Sequence, residues 1–529
     1  MTHITNWARL LVGAFAIAAS LNSFAASDTL VVAKNLEDVL TLDPAEAYEN
    51  TTGEMLNNAY SRLVKRHPDK PSEVTGDVAD RWEASSDGVT FTFHIRQHQQ
   101  FPDGREVTAQ DAAYSLQRVV KLNKTPSFLF GQFGWTAANV DQLITAPAND
   151  QLVLKLVRPL APGLVLQVLA TSPGSLVDRQ VVQAHEKDGD WGNAWLRTAW
   201  AGSGPFSIAT WKAKEAVVLQ ANPAYYGDKP SLKRVIFRHV AESATQALLI
   251  AKGDVDVAYN LDPDQIRALA PVNAYHVTDT QKLTEIYIPL NERNAALANP
   301  KVRQALRWAI DYQGIASNLL AGQWIVHQGL YGRGVEGAPT DTPFHLDIAQ
   351  ARRLLKEAGY EKGLELSLDV ETGSPYPEIA QSIQSTFAQA GITLKLLQSD
   401  RRQVMTKYRA RSHEMILWHA SVDYNDPNAG AADYALNVDN SDQAAAKNRA
   451  WRSGWVNEKA NELTLSAQRE QDPQRRRALY AQLQQLVWDQ APYIFAFQQV
   501  EQIVLRANVS GFQSGPNYDS ALYTHVRKD

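Results

Sequence analysis

No cysteine occurs anywhere in the 529 residues. That absence excludes disulfides, thiolate metal sites, iron–sulfur clusters and a cysteine nucleophile. Methionine is scarce, at 4 residues, which weakens thioether ligation of a soft metal. Charge of one sign is also missing. With 52 basic and 57 acidic residues, a formal net charge of -5 gives no reason to expect nucleic acid or an anionic membrane as partner. No apolar run reaches the ~18 residues of a membrane span. The chain has no G-x-x-x-x-G-K-[ST] phosphate loop and no G-x-G-x-x-G signature. Gly202-Ser203-Gly204 lacks the spacing of a nucleophile elbow. His413-Glu414 opens like a metalloprotease helix but has no second histidine and leads into strand-like residues. Asp254 and Asp256 fit strand alternation better than a glycosidase acid pair. These gaps point to a binding protein rather than an enzyme, with no cofactor and no metal.

What is present begins with an export signal. Residues 10–21 form a short apolar run after Arg9, and Ser23-Phe24-Ala25 offers a cleavage site before Ala26. Residues 1–25 therefore read as a cleavable signal peptide, and with no cysteine after it the mature chain is expected to be periplasmic and not lipid-anchored. A length of 529 residues suits about three domains at roughly 150 residues each, and a hydrophobic content of 44% is enough to bury large cores.

The clearest local pattern is Thr90-Phe91-Thr92-Phe93-His94-Ile95-Arg96, whose strict alternation predicts a strand. Asp87-Gly88 before it and Pro102-Asp103-Gly104 after it are turn signals. Thr108-Ala109-Gln110-Asp111 is a capping box that starts a helix running to about Val120. A helix through Leu56 and Leu63 is expected earlier. Beyond residue 280 strands and helices alternate, as in a parallel sheet with helices on its faces. Asn299 and Asp347 cap two of the helices, and Gly359 ends the second. Strand-like segments at 286–290 and 493–497 read as places where the chain changes lobe.

One loop carries candidate chemistry. The apolar Met415-Ile416-Leu417 leads into Trp418-His419-Ala420-Ser421-Val422-Asp423-Tyr424-Asn425-Asp426-Pro427, where Asn-Asp-Pro breaks the strand. An acid among aromatic side chains at a strand end suits a cationic group such as an amine. Asp423 and Asn425 equally suit a turn held by side-chain to backbone hydrogen bonds. Both readings stand on the loop alone. Trp418 is the foremost aromatic candidate for a pocket, ahead of Trp135 and Trp308.

With these pieces in place the chain resembles the family 5 solute-binding proteins of bacterial ABC importers, the peptide/nickel/opine-binding group. The resemblance runs through residues 79–96, then Phe101-Pro102-Asp103-Gly104 and Thr108-Ala109-Gln110-Asp111. It extends to Gly202-Ser203-Gly204-Pro205-Phe206, Asn222-Pro223-Ala224-Tyr225-Tyr226-Gly227, Gly253-Asp254-Val255-Asp256, Val302-Arg303-Gln304-Ala305-Leu306 and Glu357-Ala358-Gly359-Tyr360. It implies an α/β, two-lobed periplasmic-binding-protein fold, type II and cluster C-like, with an extra subdomain in the first lobe. The implied division is a signal at 1–25, first lobe at 26–58, 199–280 and 493–529, subdomain at 59–198 and second lobe at 281–492. The two crossings are placed near 278–288 and 490–498.

The family further implies a monomer that closes on a small molecule or short peptide and docks on permease subunits in the inner membrane, with no nucleic-acid partner. Asp423 matches the aspartate that holds the ligand's α-ammonium in peptide-binding members, with Trp418, His419, Ser421 and Tyr424 around it. The family's arginine for the ligand carboxylate falls here on Pro377 or Glu378, and the arginine of longer-peptide binders on Met415. Arg401, Arg402, Arg409 and Arg411 remain as substitutes, each also readable as a plain surface charge. The same fold implies alternative cargo: an opine, a sugar-like ligand, or a nickel- or haem-type chelate.

Overall fold

The computed structural model describes residues 28–67 and 70–529. The expected signal peptide lies outside the described residues. Two long strands, Tyr275–Pro289 and Tyr493–Arg506, pair antiparallel and join the two lobes. They belong to a nine-stranded sheet whose order across the molecule is Trp418–Ser421, Tyr275–Pro289, Tyr493–Arg506, Val257–Ala258, Thr29–Lys34, Arg234–His239, Ala216–Ala221, Phe206–Lys212. The short strand Trp324–Val326 pairs with Tyr493–Arg506 off that path. Expected crossings at 286–290 and 493–497 are thus the second-lobe ends of much longer strands. Their first-lobe halves were hidden because polar residues such as Gln498 and Gln502 interrupt the apolar pattern. Gln498 is fully buried and spends its amide on Lys282 O and Arg333 O, both 2.9 Å, satisfying the polar group that disguised the strand.

Where the crossing strands pass between lobes the register slips. Gln281 faces Val500, but the next pair is Glu285 with Gln498. The extra residues form a bulge, which bends the pair. Lys282 sits in it, 1% exposed, with Nζ 2.9 Å from Glu501 Oε2 and donating to Ser514 Oγ and Gly515 O. The ammonium is therefore paired and hydrogen-bonded, as a buried charge must be.

The second lobe is built on a three-stranded parallel sheet, Ile392–Ser399, Leu364–Glu371 and Met415–Ile416. Helices Ile348–Glu357, Tyr376–Ala390 and Arg401–Arg409 connect and flank these strands. Asn299 and Asp347 cap their helices through side-chain oxygens, as their positions predict. Glu414, from the rejected metalloprotease-like pair, braces this sheet. Its carboxylate accepts from Ser367 N at 2.7 Å, Ser367 Oγ at 2.6 Å and Asn294 Nδ2 at 2.8 Å.

A separate antiparallel sheet of Ala79–Ala84, Thr90–Ile95, Gln151–Lys155 and Ile144–Ala148 holds the alternating block. Phe91, Phe93 and Ile95 turn inward onto helix Ala109–Leu122, whose capping box forms as expected. The early helix is shorter than its periodicity implies. It spans Asn50–Ala59, and Leu63 lies beyond it, because Trp200 Nε1 (2.8 Å) and Gly204 N (3.2 Å) both donate to Ala59 O and close its last turn. Gly204 is required there, since a Cβ would meet Ala59 C at 2.5 Å. Among the described residues no helix is long and apolar enough to cross a membrane.

Candidate functional site

The chain leaves the three-stranded sheet at Ile416 and immediately joins the nine-stranded one. Trp418–Ser421 pairs antiparallel with the first crossing strand, Trp418 opposite Tyr287 and Ser421 opposite Thr284. Val422 N then donates to Leu283 O at 3.1 Å, and Asp426 caps helix Pro427–Tyr434 by accepting from Asn428 N at 2.8 Å. Asp423 is held between these two anchorages, beside the hinge.

It faces a cavity of about 270 Å³ between the lobes. Tyr48, Asn50 and Ser172 line it from one side with Asn517, Tyr518 and Asp519 of the C-terminal segment. His419, Ser421, Asp423 and Arg401 line the other side. A second cavity, of about 310 Å³, is walled by residues 57–77, 205–228 and 513–525 and receives nothing from residues 281–492. Only the first meets the requirement that a ligand touch both lobes to favour closure.

Asp423 Oδ1 accepts a hydrogen bond from Tyr48 Oη at 2.7 Å across the cavity. Burial raises the Asp423 carboxyl above its ordinary range; the Tyr48 bond and Arg449 oppose the rise, and Asp519 adds to it. Asp519 itself is committed elsewhere, with Oδ1 2.8 Å from Arg66 Nη1. Among the described residues Asp423 has no cation in salt-bridge contact, so an incoming ammonium would meet a carboxylate without breaking an ion pair to any of them.

The second-lobe wall is aromatic and basic. The His419 ring stacks on Tyr376 at 5.1 Å, with Nδ1 2.5 Å from Tyr376 Oη. Burial first, then the Arg401 charge, push His419 down to about 3, so it is neutral at physiological pH. The Arg401 guanidinium lies over the Trp418 indole at 4.4 Å, and its Nη1 reaches Glu371 Oε2 and His419 Nε2, both at 3.1 Å. The Ser421 hydroxyl hydrogen-bonds Thr284 Oγ1 at 2.7 Å rather than a base. Bonded in this way, Ser421 is not an activated nucleophile.

His419 has a pH consequence. Its folded pKa lies below the unfolded value near 6.5, so the unfolded chain takes the proton first and stability is lost as pH falls from about 6.5 towards 3. The melting-temperature gap between the wild type and His419→Gln is therefore expected to shrink on acidification from pH 7 to pH 4. A gap that stays constant across that range would contradict a neutral His419.

The continuous run His419-Ala420-Ser421-Val422-Asp423 lines the cavity, and the expected site residues on either side of it do not. His419, Ser421 and Asp423 line the cavity. Trp418 is 4% exposed and supports Arg401 from behind. Tyr424 is 3% exposed, packs into the core of the four-stranded sheet, and donates to Gln132 Oε1 at 3.0 Å. Trp135 packs among Phe130 and Phe133, and Trp308 against Phe344, both away from the cavity. Tyr48, Asn517 and Asp519 were not anticipated; nothing in their local pattern marks them.

The family profile described as "Bacterial extracellular solute-binding proteins, family 5 Middle" matches residues 73–442. Over 493 residues the chain is 30% identical to the "Probable D,D-dipeptide-binding periplasmic protein DdpA" of Escherichia coli (strain K12), with 92% of each chain covered. It is 25% identical over 528 residues to the "Glutathione-binding protein GsiB" of Salmonella typhi, covering 96% of this chain and 98% of that one. Among solved structures, HbpA2 from Haemophilus parasuis superposes with a TM-score of 0.80 at 24% identity, over 95% of this chain and 100% of the other.

Proposed function

The chain belongs to the bacterial extracellular solute-binding proteins, family 5, and from that membership we propose that it captures a short peptide with a free amine between its lobes. The observation that carries the reading is Asp423, a carboxylate in the interlobe cavity that, among the described residues, takes its side-chain hydrogen bond from the Tyr48 hydroxyl on the opposite wall. That hydroxyl occupies the place an ammonium would take. The cavity, at about 270 Å³, is at the small end of the ~300–1,000 Å³ usual for ligand sites. Its size supports a di- or tripeptide over a longer one. The two curated relatives are named for D,D-dipeptides and for glutathione, which are compounds of that class.

In this reading the protein is not an enzyme. It is exported by the signal at residues 1–25 without a lipid anchor, closes as a monomer over its ligand, and delivers it to permease subunits of an ABC importer. Residues 59–198 form an extra subdomain of the first lobe.

Thermal-shift measurement against di- and tripeptides, their N-acetylated forms, opines and nickel chelates tests the ligand class. A ligand present at 100 times its Kd stabilises by about 2.7 kcal/mol, a readable rise in melting temperature. Free-amine peptides are expected to give that rise and N-acetylated ones none. Stabilisation by an opine or a nickel chelate alone would overturn the reading.

A further inference from the structure

The cavity carries a carboxylate, Asp423, and one arginine, Arg401, among the described residues that line it. We infer that Arg401 holds the ligand's terminal carboxylate, which makes the cargo a zwitterionic peptide bound at both ends. This inference rests on the peptide-binding reading above.

The geometry follows from the three-stranded parallel sheet. Ligands of open α/β sheets bind beyond the carboxyl ends of the strands. Leu364–Glu371 ends there and leads to Tyr376, the first residue of its following helix. Ile392–Ser399 ends beside it and leads, through the cap Asp400, to Arg401. Met415–Ile416 leads to Trp418 and His419. Three strand ends thus assemble one wall, with its arginine at the start of the helix after the second strand.

Arg401 is the arginine of the wall. Arg402 and Arg409 are exposed and line neither cavity, and Arg411 is buried against Asn440 and stacked on Trp451. Arg401 is also pre-set for a carboxylate. The guanidinium lies over the Trp418 indole, and every hydrogen bond it makes among the described residues uses Nη1. Nε and Nη2, the edge suited to bidentate pairing, have no hydrogen bond among the described residues. Glu371 takes one side of the guanidinium, so the ligand carboxylate is its second partner. Neutral His419 beside it adds no competing charge. The side chain is 51% exposed, so the pair is solvent-screened and its contribution is modest.

The test uses randomised di- and tripeptide pools as free acids, C-terminal amides and N-acetyl acids, dialysed against the full-length mature protein and read by mass spectrometry. The wild type is expected to retain free acids about threefold to fivefold over amides, and Arg401→Gln to lose that preference. A merely structural role for Arg401 would lower retention of both pools alike and leave their ratio intact. Equal retention of acids and amides by the wild type, or a preference that survives in Arg401→Gln, overturns the inference. Retention of N-acetyl acids equal to free acids would sink the amine reading and leave Arg401 standing. Retention of no pool would remove both.

Discussion

Asp423→Asn is expected to weaken binding of a free-amine peptide by about a hundredfold, near 3 kcal/mol, as for loss of one partner of a desolvated charge pair. Asparagine keeps the shape and still accepts from Tyr48, so the substitution removes charge and little else. Its effect on the ligand-free fold has the opposite sign. The Asp423 carboxyl is raised in the folded state, chiefly by burial, so its ionised form subtracts stability once pH rises past the unfolded value near 3.8. At neutral pH the ligand-free variant should melt no lower than the wild type. Affinity of the wild type should also decline on acidification sooner than an ordinary carboxylate would allow, a decline absent in Asp423→Asn. Calorimetric titration at fixed ionic strength across pH measures both. Unchanged affinity at neutral pH would remove Asp423 as the amine anchor.

Why Asp423 was visible in the sequence while its partners were not is a matter of distance along the chain. The alternating block at 90–96 and the capping box at 108–111 are local events and form where their patterns put them, whereas the expected loop at 418–427 opens with a further strand, Trp418–Ser421, formed by long-range pairing with the first crossing strand. Tyr48 and Asp423 are 375 residues apart and meet only when the lobes do. Arg401 looked like any of several arginines until the sheet's strand ends were aligned. Trp418 and Tyr424 show the complementary limit. An aromatic residue in a binding loop can serve the cavity or the packing behind it, and only the pairing of Trp418 with Tyr287 and of Tyr424 with Gln132 decides. Long-range pairing likewise explains the crossing strands, whose polar halves are paid back by partners such as Lys282 O for Gln498.

The second large effect is structural and lies three residues from Asp423. Asp426 caps helix Pro427–Tyr434 and also takes Arg476 bidentately, Nη1 to Oδ2 at 2.8 Å and Nη2 to Oδ1 at 2.6 Å. Burial works against the Arg476 charge, but Asp426 more than offsets it and holds the guanidinium firmly protonated. Loss of a cap alone costs ~1 kcal/mol. Leaving Arg476 buried without its carboxylate costs about 3–5 kcal/mol. Asp426→Ala should therefore melt well below Asp426→Asn, which keeps a capping oxygen and a neutral acceptor. Asp426→Ala combined with Arg476→Met should recover most of the loss, because no orphaned charge remains. Equal melting of the two single variants would show that the capping oxygen contributes nothing and that loss of the carboxylate charge opposite Arg476 carries the whole effect. The same brace sets the loop that presents Asp423. Asp426→Ala is thus expected to lower peptide affinity although Asp426 lines no part of the cavity, whereas the double variant, with the strand pairing at Thr284 and Ser421 intact, should bind more tightly than Asp426→Ala.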